Sequence, residues 1–452
     1  MKKAVTVTFK CFLWIVLLAV VCSAAGEENA MILPEKLMET EGFPELMRLR
    51  NGEAVETPEA WAVRREELKA LYSYYMYGNM PDKAGEKLSY DLERHGATGS
   101  TLLNITVEAN GRTACFSVLV TLPQTEAPAG GYPFYLEYMP WHYQSWFTRE
   151  WVTEVSANCR YAASRGYAGI NYDTAQVAQD NASYTGAFYT LYPYDKASGT
   201  GENQTGTLMA WAWGVGKVID ALEQGAGAEM NINPANSLVG GVSRFGKGVA
   251  VAGAYEERIR VVIPSCSGAG GLATYRTNNS GKTYDLTSLG GSAAWVNESK
   301  NEPFSNLTGG EGYWFCGNFQ KIRSVKCLQV EQHMLAALVA SPRRHMIIVT
   351  GIESEGWNNT EGQCLAYVAS QPAWDLLGCG GQNNMLIHLN GHAILPSDMV
   401  YILDYCDVHL YGKSPDEVES DLSQMKGNLF LEHNRDVLHP YFAPYLGNQR
   451  RD

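Results

Sequence analysis

Charge is scarce in this sequence of 452 residues. Only 18% of it is Asp, Glu, Lys or Arg, and the balance is acidic, with a formal net charge of -13. An acidic surface repels phosphate, so neither nucleic acid nor an anionic membrane is expected as a partner. Metal-site spacing is missing too. Beyond the N-terminal segment eight cysteines remain, at 115, 159, 266, 316, 327, 364, 379 and 406, with no CxxC pair among them. A core of this size does not need disulfides, and no pairing can be read from the spacing. No metal or organic cofactor is expected. Repeats and low-complexity linkers are absent, and no apolar run after the first 22 residues is long enough to span a bilayer.

The longest apolar run, short of that length, stands at the start, in "MKKAVTVTFKCFLWIVLLAVVCSAAGEENA". A basic start, a short apolar stretch and small residues before acidic ones form the pattern of a secretory signal peptide. Cleavage is expected after Ala25, with Ser23 at the -3 position. A membrane anchor would need ~20 apolar residues, and bulky Val20 and Val21 argue against lipidation at Cys22. The reading is a secreted protein.

What the chain does contain is apolar and aromatic. Hydrophobic residues make up 45%, with 45 Gly, 26 Tyr and 11 Trp. Such a mix suits core packing and also surfaces that stack on sugars. Residues 26–100 read as an N-terminal extension packed on a catalytic domain at 101–452. "TPEAWAVRREELKALYSYYMYGNMP" predicts a helix ending near Gly78. The stretch "SYDLERHGATGSTLLNITVEANGRTACFSVLVTLP" predicts strands joined by Gly-containing turns. From about 130 strand and helix patterns alternate. "YPFYLEYMP", "YAGINYD", "NSLVGGVS", "RIRVVIPS", "RHMIIVTG" and "MLIHLNG" are strand candidates. "TEVSANCRYAASRG", "RFGKGVAVAGAYEE" and "VEQHMLAALVA" are helix candidates, and "TGTLMAWAWGVGKVIDALEQ" predicts a strong amphipathic helix. This alternation implies an α/β fold, with a mostly parallel central sheet in a three-layer αβα sandwich. The stretches 196–206 and 268–312 read as long loops over one rim of the sheet.

Ser243 lies between a strand and a helix in "GGVSRFGKG". A nucleophile elbow of the α/β-hydrolase fold has this form: the turn is so tight that its neighbours must be small. The usual G-x-S-x-G is departed from, because Phe245 stands where the second glycine is expected. A glycine-rich turn that merely packs well would look similar. In that fold the acid and then the histidine follow the serine. His392, after the Asn390-Gly391 turn signal, is the candidate base; His388, inside the strand run, and His333, in a helix, read as structural. Glu353 and Glu355, beyond the strand "RHMIIVTG", are the candidate orienting acids, with Glu355 favoured. The backbone N–H of Arg244 stands where such folds place an oxyanion donor, and its guanidinium adds charge. Lys247, one turn on, is either a substrate-binding cation or a solvated one.

With these pieces together the chain resembles the glucuronoyl esterases, carbohydrate esterase family fifteen, in their bacterial branch. The likeness rests on "GGVSRFGKGVAVAGAYEERI", "IPSCSGAGG", "GYWFCGNF" before "VEQHMLAALVASPRRHMIIV", "LNGHAILP" and "WAVRREELKALYSYYMYGNMP", which occur in the family's order over most of residues 58–400. The resemblance implies hydrolysis of esters between (4-O-methyl-)glucuronic acid on xylan and alcohols, including those of lignin. It also implies Ser243 as nucleophile, His392 as base, Arg244 as oxyanion stabiliser, Lys247 on the sugar hydroxyls and Trp357 packed against the uronate. Many members carry the triad acid where this chain has Cys266, so the acid is expected from 353–355 instead. The cysteine pair of many fungal members is replaced by Val242 and Ala393, and the positions that grip the sugar are not evident in "SLGGSAAWVNESKNEP". Two alternatives stay open: an acetylxylan or general carboxylic-ester hydrolase on the same scaffold, and a non-catalytic carbohydrate-binding relative.

Overall fold

The structure is a computed structural model that describes residues 31–145, 148–196, 204–353, 355–425 and 428–442. The expected signal peptide and part of the 196–206 loop lie outside these residues.

Helix α1 (Pro58–Tyr72) begins where the Thr57 hydroxyl accepts the Ala60 N–H at 3.2 Å and Pro58 presets the first turn. A wider helical turn, Ser73–Tyr77, continues it to Gly78. The main sheet follows: β1 (Lys87–Arg94), β2 (Thr101–Ala109), β3 (Arg112–Thr121), β4 (Tyr132–Tyr138), β5 (Ala168–Tyr172), β6 (Ile232–Val242), β7 (Val261–Ser265), β8 (His345–Gly351) and β9 (Asn383–His388). Their order across the sheet is β1-β2-β3-β5-β4-β6-β7-β8-β9. The pairings from β5 to β9 are parallel, and β1, β2 and β3 join antiparallel at one edge. Residues 87–94, within the stretch read as an N-terminal extension, are therefore the edge strand, in register with β2 from Lys87↔Glu108 to Arg94↔Thr101.

The period of two along each strand divides the core into two faces. Val118 and Val120, Phe134 and Leu136, and Met346 and Ile348 point to one face; Leu119, Tyr135, Ile347 and Val349 point to the other. The first face is covered by α1, α3 (Thr207–Ala221), α4 (Arg244–Tyr255) and α5 (Thr360–Leu376). The second is covered by α2 (Ala157–Ser164) and α6 (Pro396–His409). This is the expected three-layer α/β-hydrolase architecture.

Helix α3 keeps its expected polar side, with Lys217 and Asp220 paired on it, but that side is covered: apart from the partly exposed Asp220, all its residues are buried. The cause is the N-terminal segment, which covers the side that would otherwise meet water. Trp61, Leu68 and Tyr72 of α1 share its core, and Glu86 accepts hydrogen bonds from Trp213 Nε1 (2.8 Å) and Lys217 Nζ (2.5 Å).

The parallel strands end together, and the connections that leave their carboxyl ends begin at residues 139, 173, 266, 352 and 389. Ligand sites of open α/β sheets form along that rim. The eight cysteines beyond the N-terminal segment are all free thiols, and only Cys115 is exposed.

Candidate active site

Ser243 sits between β6 and α4 with φ 63° and ψ -127°. A non-glycine residue in that region carries strain of about 1–3 kcal/mol and persists only when its surroundings fix it. Here the Ser243 N–H donates to the Ser265 carbonyl (2.9 Å), and the Ser243 carbonyl accepts the Lys247 N–H (3.0 Å). Gly246 explains the departure at Phe245. A Cβ on Gly246 would lie 2.4 Å from the Ser265 carbonyl oxygen, so the close approach falls one residue later than in G-x-S-x-G. Phe245 instead leans against Trp211, ring centroids 5.6 Å apart.

His392 is half-exposed on the loop after β9, and its Nδ1 lies 2.8 Å from Oε2 of Glu355. Glu355 is buried, and the same oxygen accepts a short hydrogen bond from Asn358 Nδ2. The arrangement orients the ring and leaves its far nitrogen for proton transfer. The backbone N–H of Glu353 donates to the Leu389 carbonyl (2.9 Å), which joins the acid loop to the histidine loop. Ser265 joins the serine to the histidine loop: its carbonyl holds the Ser243 N–H, and its hydroxyl donates to the Ala393 carbonyl at 3.3 Å. His388 braces the same loop. Its Nε2 lies 3.0 Å from the Gly391 carbonyl and its Nδ1 3.0 Å from Asp398. Burial pulls the imidazole's pKa down, but the Asp398 carboxylate outweighs this and raises it. His333 is fully buried in α-helical surroundings beside Phe43 and Tyr441.

Cys266, also at positive φ (43°), adjoins this group. Its sulfur lies within 4.8 Å of the Glu355 and His392 donor atoms. Burial and the nearby Glu355 carboxylate push the thiol up to about 12. These three side chains are the metal-capable cluster among the described residues.

On the serine side, two cations flank one buried indole. Arg244 and Lys247 lie 5.6 and 5.5 Å from the Trp314 ring centroid. The Arg244 guanidinium pairs with Asp180 Oδ2 at 2.7 Å, and Asp180 Oδ1 accepts from Trp314 Nε1 (2.7 Å) and the Tyr313 hydroxyl (3.0 Å). Lys247 is buried, and its ammonium donates to the carbonyls of Ser267 (3.0 Å) and Ala269 (2.7 Å) and to Glu302 Oε2 (2.8 Å). Glu311 stands beside Glu302; burial and that second carboxylate raise its pKa to about 7. Gly268 lies between the two halves of the site: a Cβ there would be 3.1 Å from Lys247 Nζ, Glu302 Oε2 and Asn358 Oδ1 alike. Trp357 is 48% exposed, and its carbonyl accepts the Glu302 N–H at 2.9 Å.

The rim thus gathers Ser243, Arg244 and Lys247, the pair Glu355–His392, and Trp357. Sequence reasoning did not single out Asp180, Glu302, Glu311 or Asn358. Glu302 is the penultimate residue of the very stretch in which no sugar-gripping position was evident, and only its partner Lys247 marks it.

Comparison with known proteins agrees on one family. Residues 105–378 match a family model described as "Glucuronyl esterase, fungi". A multidomain esterase of Ruminococcus flavefaciens is 36% identical over 416 residues, 90% of this chain and 51% of that protein. The chain therefore spans about half the length of that relative. A 4-O-methyl-glucuronoyl methylesterase of Hypocrea jecorina is 30% identical over 83% of this chain and 72% of its own length. Among solved structures, a carbohydrate esterase family 15 glucuronoyl esterase from Caldicellulosiruptor kristjansonii superposes with a TM-score of 0.72 at 35% identity, covering 85% of this chain and 95% of the other.

Proposed function

The chain belongs to the glucuronoyl esterases, a family of carboxylic-ester hydrolases, and from that premise we propose that it hydrolyses alkyl or aryl esters of (4-O-methyl-)glucuronic acid through Ser243, His392 and Glu355. The observation that carries the reading is the 2.8 Å contact between His392 Nδ1 and a buried Glu355, on the rim that also holds the strained Ser243.

In the proposed cycle His392 takes the Ser243 proton, and the serine oxygen attacks the uronate carbonyl. Glu355 stabilises the imidazolium without itself becoming protonated. The oxyanion is met by the Arg244 N–H, at the open first turn of α4, and by the positive charge of its guanidinium. His392 then returns the proton to the departing alcohol. Water attacks the acyl-enzyme by the reverse sequence and releases the uronate. The exposed Trp357 indole offers a face to the pyranose C–H groups. Lys247 and Glu302 offer a donor and an acceptor to the ring hydroxyls, with one hydroxyl replacing a carbonyl now bound by the ammonium. The natural substrate in this reading is glucuronoxylan, including its ester links to lignin, met by a secreted enzyme.

The test is turnover of methyl and benzyl glucuronate esters beside an acetyl ester, by wild type and by Ser243→Ala. Wild type is expected to cleave the uronate esters and Ser243→Ala to lose turnover. Cleavage of the acetyl ester alone, or undiminished turnover by Ser243→Ala, would overturn the reading.

A further inference from the structure

We propose that Cys266, Glu355 and His392 form a binding site for a borderline or soft divalent cation, with Zn²⁺ as the type, and that the bound ion switches the histidine off as a base. One sulfur, one carboxylate oxygen and one ring nitrogen lie within 4.8 Å of one another. Around a single Zn²⁺, bonds of about 2.0–2.3 Å hold neighbouring ligand atoms roughly 3.2–3.8 Å apart. The sulfur therefore has to move in by at most about an ångström, and the 2.8 Å Glu355–His392 contact has to open by a few tenths. Cys266 and Glu355 are buried and His392 is half-exposed, so the site is open on the imidazole side only.

The charges and protons balance. The thiol releases its proton to solvent and becomes a thiolate; with the Glu355 carboxylate it neutralises the divalent ion. The ion takes the lone pair of His392 Nδ1, so the single proton of the neutral ring resides on Nε2. A ring in that state cannot accept a proton from Ser243. A thiolate, an imidazole and one carboxylate suit Zn²⁺ or Cd²⁺, whereas Mg²⁺ and Ca²⁺ require sets made of oxygen. The proposal goes beyond the esterase reading, because occupancy can be read without catalysis.

Two measurements test it. In the first, each variant's ester turnover is normalised to its own rate in metal-free buffer and titrated with ZnCl₂ and MgCl₂. Wild type is expected to lose turnover to Zn²⁺, to regain it with EDTA and to ignore Mg²⁺. Loss of outer partners alone weakens metal sites about 10–100-fold, so Cys266→Ala and Cys266→Ser should need at least about tenfold more Zn²⁺. In the second, CdCl₂ is titrated into a Cys115→Ser background, which removes the exposed thiol, and the ultraviolet thiolate-to-cadmium absorption is followed. One equivalent is expected to bind, with the band lost on adding Cys266→Ser and diminished on adding His392→Gln. Equal Zn²⁺ sensitivity in the Cys266 variants, or a band that survives Cys266→Ser, overturns the site. The cadmium band decides the question even for a protein that turns over no ester.

Discussion

The guanidinium of Arg244 and the carboxylate of Asp180 stand 2.7 Å apart, and the other Asp180 oxygen holds the indole N–H over which that guanidinium lies. One acidic residue from the loop after β5 thus fixes both the charge beside the serine and the ring beneath it. Loss of an oxyanion donor typically costs about 10²–10³ in turnover, so Arg244→Ala is expected to lower kcat by that factor. Asp180→Asn keeps an acceptor for Trp314 but frees the guanidinium; kcat should fall while the thermal melt barely moves. Steady-state kinetics beside a melting curve check both variants.

The two loop glutamates should separate cleanly. Glu355→Gln removes the charge behind His392 and is expected to lower kcat by about 10³–10⁴. Glu353→Ala, whose contact to Leu389 is made by the backbone, should stay close to wild type. A shared loss would remove Glu355 from the triad.

The buried pair Lys247–Glu302 predicts a stability effect. Removing one member of such a pair strands the other, at about 3–5 kcal/mol. Lys247→Met should lower Tm accordingly, and the double variant Lys247→Met with Glu302→Leu should lower it by less than the sum of the singles. Calorimetry of the four proteins measures the difference.

Glu311 predicts a pH dependence. Its pKa is raised to about 7 from an ordinary 4.5, first by burial and then by Glu302. A raised carboxyl binds its proton more tightly in the folded state. Its contribution to stability is therefore complete below pH 4.5 and lost as pH rises through 7. Above pH 7 two carboxylates crowd Lys247, and KM for a neutral sugar ester should rise. Glu311→Gln should flatten that rise, as KM measured from pH 5 to 8 will show.

On the acid side the sign reverses. His333 and His345 are buried, and burial lowers both to about 3 from 6.5. The unfolded chain then binds protons that the folded one refuses, so stability is full above pH 6.5 and falls as pH drops towards 3. Melting curves from pH 7 to 4 should show the decline, and His333→Leu should make it shallower.

The parts legible in the sequence were those written in a local pattern. Alternating strands and helices gave the layers, and "GGVSRFGKG" gave the turn that holds Ser243. The chain order of serine, acid and histidine pointed to Glu355 and His392, which lie 2.8 Å apart. What stayed hidden depends on contacts between distant loops. Asp180 reaches Arg244 across 64 positions, and Glu302 reaches Lys247 across 55. Nothing near either acid distinguishes it from a solvated loop carboxylate. The covering of α3 stayed hidden for a related reason, since its polar side is answered by Glu86, far upstream in sequence.

The covering of α3 has a practical consequence for anyone dividing this polypeptide. The segment from Pro58 to Arg94 at once covers Trp213, whose indole N–H donates to Glu86, and braces the rim of the candidate site, since the Tyr77 hydroxyl donates to the Gly270 carbonyl at 2.9 Å. A fragment begun at residue 101 would bare an oily helix to water and slacken the loop that cradles Lys247. Residues ahead of Thr57 belong with that segment, since Leu37, Leu46 and Val55 share its core and Arg64 donates to the Glu45 and Leu46 carbonyls.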